Sequence, residues 1–155
     1  MLIQKDIEAK MLAQIREACE KFDFVTVRGA WEEAFFGLTR WSEGEGNKDA
    51  FISVALGTPA RNTPANPVAT IAANVSVFVR CECDPRGEKL TLICETLQNL
   101  FDRWILSDHQ GESTALDIPE FFVGGVAMAG GSAPTLNNSV CSVTYPLELT
   151  GSYTT

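Results

Sequence analysis

The sequence predicts an α+β fold, in which a single antiparallel or mixed β-sheet carries two α-helices packed on one face. Three observations predict it. Apolar residues recur at helical spacing in two segments, they alternate at strand spacing in a long central and a final segment, and strands follow one another in runs. With 155 residues, of which 45% are hydrophobic, residues 1–155 are predicted to form one domain with a sizeable core.

The first half of the chain predicts one helix and two strands. Apolar side chains repeat every three or four residues from Ile3 to Phe22, with charged residues between them, which indicates an amphipathic helix. A short strand is predicted at Phe24–Val27 and a second at Ala50–Gly57, an apolar run between polar turns. The aromatic-rich segment 28–42 fits either further strand pairing or an ordered excursion, and the pattern leaves both open.

Residues 58–67, "TPARNTPANP", contain three prolines and two asparagines. Proline lacks a backbone donor and asparagine favours turns, so this segment is predicted to form neither helix nor paired strand. It is expected to project from the domain as an exposed loop.

The second half begins with the clearest alternation in the chain, from Val68 to Cys83, which predicts a strand longer than the usual ~5–6 residues. Asp84 is predicted to cap a second helix that starts at Pro85 and runs along an apolar stripe to Ile105. Two further strands are predicted, at residues 121–131 and 139–150. Pro146 predicts that the last strand is at a sheet edge or broken there.

Charge and hydropathy narrow the classes of partner. Lys and Arg total 12 against 20 Asp and Glu, giving a net charge of −8 and a pI near 4.6. Such a chain is expected to repel a phosphate backbone, which argues against specific nucleic-acid binding. The charged N-terminus does not fit a signal peptide, and no window is long enough for a membrane span, so a soluble protein made in the cytoplasm is expected.

The cysteines are the first candidates for chemistry. A zinc site would draw on four of them, Cys81, Cys83, Cys94 and Cys141, but one C-x-C pair followed by single distant cysteines is a poor ligand spacing. Each of the four falls on an apolar face, and cysteine is among the most buried residue types. They are predicted to be reduced core thiols.

Two other motifs fail as sites. His109 is placed in a polar loop beside Asp108, where sequence neighbours do not make a catalytic triad. Gly125 and Gly130 have the spacing of a phosphate-binding loop, but Gly131 stands where that loop requires lysine. These glycines are predicted to mark bulges or places where another backbone comes close.

Glu32 and Glu33 are consecutive, so in an extended segment they point to opposite faces and are predicted to be solvated charges. No catalytic, cofactor-binding or metal-binding residues are predicted, and no enzyme activity is expected. What distinguishes the chain is a long strand, a Pro/Asn-rich loop and glycine-rich apolar strands, features typical of a subunit built for assembly.

The order of elements resembles the small tail terminator, or tail completion, proteins of long-tailed bacteriophages. The resemblance covers nearly the whole chain and is carried by six segments: "IQKDIEAKMLAQIREACEKF", "DAFISVALG", "TPARNTPANP", "ATIAANVSVFVRCECDP", "GEKLTLICETLQNLFDRWI" and "CSVTYPLELTG". The segment "AWEEAFFGLTRW" and the C-terminal hairpin depart from the smaller members of that group.

The resemblance implies a structural protein of the virion tail that forms a homohexameric ring, caps the major tail tube protein and offers its other side to head connector proteins. Candidate contacts between subunits or with the tail are Trp31, Trp41, Arg61, Asn62 and Asn66. Two alternatives remain open at this point. One is a head-tail connector or neck protein of similar fold, and the other is a small cytosolic enzyme or ligand-binding domain.

Overall fold

A computed structural model describes residues 2–32, 41, 49–109 and 115–154 of the chain. Within these residues two helices pack against one six-stranded mixed sheet, which confirms the predicted fold class. The helices are α1 (Ile3–Ala18) and α2 (Glu88–His109). The strands are β1 (Val25–Gly29), β2 (Ala50–Leu56), β3 (Val68–Arg80), β4 (Phe121–Met128), β5 (Thr135–Asn137) and β6 (Val140–Tyr153).

The sheet has the order β1-β2-β3-β6-β4, and β5 pairs with β6 beside the end of β4. β1 and β2 are parallel, whereas the other neighbours are antiparallel. β5 and β6 form a hairpin through Asn138 and Ser139, which both have positive φ, at 49° and 64°. Two such residues are the signature of a two-residue turn whose twist matches that of the strands.

The core lies between the helices and one face of the sheet. β3 and β6 pair along the whole length of β3, and every second residue of β3 from Ala69 to Val79 is buried. Ile7, Met11 and Ile15 of α1 pack into the same cluster. The two periodicities in the sequence therefore correctly predict which faces are buried.

The junction between β3 and α2 differs from the prediction. β3 ends at Arg80, Cys81–Cys83 form a 3-10 turn, and α2 begins at Glu88 rather than at Pro85. Asp84 still supplies the cap, because its carboxylate oxygens accept hydrogen bonds from the backbone N–H groups of Lys89 (3.0 Å) and Leu90 (3.1 Å). The turn from Asp84 to Gly87 places that carboxylate beneath the first turn of the helix.

The prediction that the last strand is at a sheet edge or broken at Pro146 is wrong, because β6 runs unbroken from Val140 to Tyr153 between β3 and β4. The Pro146 carbonyl accepts a hydrogen bond from the Ala129 N–H, so the missing donor of Pro146 faces the β4 side. β4 ends there, at Met128 opposite Leu147. The proline therefore costs no ladder hydrogen bond with β3.

Among the described residues, neither helix is both long and apolar enough to cross a membrane.

Candidate functional site

The face of the sheet opposite the helices, here called the outer face, carries mostly uncharged side chains, and those along the middle of β3 and β6 are small. In the register of β3 and β6, Thr70 lies opposite Thr150 and Ser76 opposite Thr144. Ser76 Oγ and Thr144 Oγ1 share a hydrogen bond of 3.1 Å. Glu148 is exposed in the middle of this face. The outer face is therefore nearly neutral, although the chain carries a net charge of −8.

One end of the outer face is closed by Trp41. Its side chain is fully buried, and its ring stacks on Phe51 with centroids 5.8 Å apart. The guanidinium of Arg80 lies 4.2 Å from the Trp41 ring centroid, and Phe78 packs on the same cluster. The prediction that Trp41 contacts a partner is wrong for the folded chain, because a buried ring offers no surface. Trp41 completes a second, smaller core.

The other end of the outer face is open and forms a shallow groove across β3, β6 and β4. Ser152 of β6 pairs with Val68 on one side and Phe122 on the other, and these two apolar side chains are 46% and 50% exposed. The groove encloses about 500 Å³. Its lining includes Val68, Phe122, Gly125, Ala127, Thr150 and Ser152.

A bulge in β4 shapes this groove. Val123 pairs with Gly151 and Gly125 with Thr150, so Gly124 has no partner of its own. A Cβ on Gly124 would lie 3.4 Å from the Phe122 ring, and a Cβ on Gly151 would collide with the Phe122 carbonyl oxygen. The bulge lies between Val123 and Gly125, which confirms the prediction for Gly125. The prediction is wrong for Gly130, where φ is 98° and a Cβ would have no atom within 4 Å.

The loop of residues 58–67 is exposed, as predicted, but it is not unpaired. Ala60 and Thr70 exchange backbone hydrogen bonds of 2.8 and 3.0 Å, so the loop folds back along the start of β3. Asn66 Oδ1 accepts a hydrogen bond from the Val68 N–H at 3.0 Å, while Asn62 is exposed. Of the candidate contacts, Asn66 is thus a turn residue and Asn62 remains accessible.

Arg61 is held at the same end of the sheet as the groove. Its guanidinium lies 4.2 Å from the Tyr153 ring centroid and donates hydrogen bonds to the carbonyl oxygens of Pro64 (3.1 Å) and Asn66 (3.4 Å). Val68 lines both the groove and a cleft of about 190 Å³ that Arg61 also lines. Within the described part of the chain no carboxylate pairs with Arg61, so a fixed cation stands beside the groove.

Trp31 lies where β1 ends. Its indole Nε1 donates to the Leu56 carbonyl (2.9 Å), and its backbone N–H donates to Glu8 Oε2 (2.8 Å). The ring is 36% exposed, so it is accessible as a contact.

Glu8 is a buried residue that the sequence does not single out, because its charge predicts a position on the solvent-exposed side of α1. Its side chain is 1% exposed. Burial raises the pKa of Glu8, although hydrogen bonds from the backbone of Trp31, Leu56 and Glu32 oppose that rise. Gly29 makes the room, since a Cβ there would lie 2.6 Å from Glu8 Oε2. Helical spacing could have indicated its burial, because Glu8 lies four residues from both Gln4 and Leu12, which are buried.

Glu32 is an ion-pair partner rather than a free charge. Arg16 binds it through two hydrogen bonds, Nη1 to Oε2 at 2.9 Å and Nη2 to Oε1 at 2.7 Å. The hydrogen bonds from Arg16 lower the pKa of Glu32. Glu33, the other predicted solvated charge, lies outside the described residues.

The five cysteines are free thiols. The prediction that Cys81 and Cys83 are inward-facing residues of the long strand is wrong, because both are half-buried in the 3-10 turn that follows it. Cys94 and Cys141 pack at the margin of the core. Burial raises the pKa of the Cys19 thiol to about 11. Among the described residues, no three His, Cys, Asp or Glu side chains converge as metal ligands would.

The remaining candidates are separated from one another. His109 is the last residue of α2, so its assignment to a polar loop is wrong. Gly131 packs against the Tyr145 ring, where a Cβ would lie 2.5 Å from the ring edge. The Tyr145 ring therefore explains the glycine at position 131.

In comparisons with known proteins, no family model matches the chain and no curated protein matches its sequence.

Proposed function

We propose that this chain is a structural subunit of a long-tailed phage, a tail terminator that closes the tail tube as a ring and provides the surface that joins the head. The observation that carries the proposal is the open half of the outer face. Its apolar groove, with Val68 and Phe122 half-exposed, is the kind of surface that another protein covers.

A ring is one way in which further copies of the chain cover such a surface. When one surface of a subunit binds a different surface of the next, the interface is heterologous, and it closes into a ring if the rotation per subunit allows it. The resemblance to tail terminators suggests six subunits. The partners are then further copies of this chain, the major tail tube protein and the head connector.

The charge suits a channel for DNA. A ring of subunits that each carry a net charge of −8 surrounds its lumen with negative potential. A polyanion passing through is repelled from the wall rather than bound, and can slide.

The test measures the mass of the assembly in solution and its effect on the growth of tail tubes. The purified chain is examined by native mass spectrometry and negative-stain microscopy, alone and with polymerising tail tube protein of the same phage. We expect rings of six copies, rings seated at tube ends, and tubes that stop lengthening when the chain is added.

Other outcomes separate the alternatives. Rings that leave tube elongation unchanged but bind the head connector would assign a neck protein. A monomer at high concentration that binds neither tubes nor connector would refute the virion assignment and favour an enzyme or ligand-binding domain.

A further inference from the structure

We propose that in the ring the outer face of one copy is covered by the solvent-exposed side of α2 from the next copy. Phe122 then packs against leucines of that helix, and Arg61 pairs with one of its carboxylates. This inference rests on the proposed function, since it names the contact that joins the copies.

The exposed apolar residues support a contact between opposite layers. On the sheet side these are Val68 and Phe122, which flank the groove. On the helix side Leu92 and Leu106 are 47% and 53% exposed. They lie about four turns apart at ~3.6 residues per turn, and therefore on the same side of α2. Stacking one copy on the next covers both apolar sets at once.

Charge favours the same arrangement. Arg61 is ordered by Tyr153 and two carbonyl oxygens but has no carboxylate partner in the described residues. Glu95 and Asp102 are exposed on α2 between the two leucines, and neither forms an ion pair with a described residue. A second copy supplies the acidic group that Arg61 lacks.

A sheet-to-sheet dimer would cover fewer of these exposed apolar side chains. It would leave Leu92 and Leu106 uncovered, and the acidic residue it offers to Arg61 is Glu148 of the outer face. Helices on both faces of one sheet are also a known layer arrangement within protein domains.

The experiment compares ring assembly of Phe122→Ser and Arg61→Glu with that of the wild type by native mass spectrometry and sedimentation velocity. Phe122→Ser is expected to raise the dissociation constant of the ring at least tenfold, about 1.4 kcal/mol. Arg61→Glu, which removes one exposed ion pair, is expected to raise it several-fold. Leu136→Ser, at a 70% exposed leucine on β5, is the control for Phe122→Ser and should assemble normally. Arg86→Glu, at the opposite end of β3, makes the same charge change as Arg61→Glu and should weaken assembly less than Arg61→Glu does. Circular dichroism checks that every variant is folded.

Charge reversal identifies the partner. In a chain that carries Arg61→Glu together with Glu95→Arg or Asp102→Arg, assembly is expected to recover. Recovery with Glu148→Arg instead would overturn the inference in favour of sheet-to-sheet contact. If the wild type forms rings and both the Phe122→Ser and the Arg61→Glu variants assemble as it does, the inference is also overturned. The proposed ring would then still stand. A wild-type chain that remains monomeric and does not bind tubes would refute both.

Discussion

The carboxyl group of Glu8 accepts a backbone hydrogen bond just beyond the end of β1. β1 stops at Gly29. The Ala30 N–H still donates to the Val54 carbonyl of β2, and the donor after it, the Trp31 N–H, bonds to Glu8 Oε2. Oε1 is buried without a hydrogen-bond partner in the described residues. Burying an ionised group that is only partly satisfied costs free energy, which is why the pKa of Glu8 is raised.

This raised pKa makes stability depend on pH. Above the ordinary glutamate pKa of 4.5, the unfolded chain loses the Glu8 proton while the folded chain retains it. The folded state then binds more protons, so the free energy of unfolding falls as pH rises through that window. Glu8→Gln cannot ionise. We therefore expect the wild type to lose stability relative to Glu8→Gln as the pH is raised from ~4 to ~7.

Urea unfolding of both proteins at a series of pH values measures this difference. Glu17→Gln, which changes an exposed residue of α1, is the control and should give a difference that is nearly constant with pH. A Glu8→Gln difference that is flat, or that grows in favour of the wild type above pH 5, would contradict the assignment of a raised pKa.

For single residues, the sequence predicts solvent exposure better than it predicts side-chain contacts. The proline content of residues 58–67 predicts that Arg61 and Asn62 are exposed, and both are. The stacking of Arg61 on Tyr153 joins residues far apart in the chain, so no local pattern contains it. The predicted partner contact of Trp41 is not supported, for a related reason. Its burial depends on Phe51 and Phe78, which reach the outer face only after β2 and β3 have paired.

At the scale of elements, the start of α2 depends on one side chain outside the helix. The Asp84 carboxylate accepts the N–H groups of Lys89 and Leu90, two of the first donors of α2, which have no partner within the helix. Asp84→Ala should therefore lower the free energy of unfolding by about 1 kcal/mol. Chemical denaturation of the two proteins at neutral pH measures the change.

Glu82→Ala is the matched control, because Glu82 is an exposed acid in the adjacent 3-10 turn and caps no helix N–H in the described residues. It should leave stability nearly unchanged. Equal losses in the two variants would indicate that removal of negative charge near the helix start, rather than the cap itself, sets the effect.

Alternation along β3 and β6 predicts the buried face of each strand but not the neighbour of either. Val75 is correctly predicted to face inward, yet the sequence does not indicate that it lies between Val54 and Tyr145. Strand order depends on contacts between distant segments, and a period of two residues is the same for any partner. The groove was missed for this reason, since it exists only where β3, β6 and β4 meet.

At the scale of the whole molecule, charge is distributed unevenly. The outward residues of β3, β6 and β4 include only Arg80 and Glu148 as charged groups, and Arg80 is stacked on Trp41. Most of the net charge of −8 therefore lies on the helices, turns and loops. Two copies repel each other at long range, whereas the surfaces proposed to meet carry little charge in the sheet layer.

Ring assembly should therefore strengthen with salt. Raising NaCl from ~50 to ~500 mM shortens the Debye length from ~14 to ~4 Å and removes repulsion on the order of 1 kcal/mol between neighbours. A single exposed pair such as Arg61 with a carboxylate contributes only ~0.2–1 kcal/mol, so its loss does not outweigh that gain.

Sedimentation velocity across this range of salt should show the dissociation constant of the ring falling several-fold. Arg61→Glu, which adds negative charge to every copy and removes the attractive pair, should show a steeper dependence in the same direction, whereas Leu136→Ser should match the wild type. A ring that dissociates as salt is added would mean that ion pairs, rather than burial of Phe122 and the α2 leucines, hold the copies together.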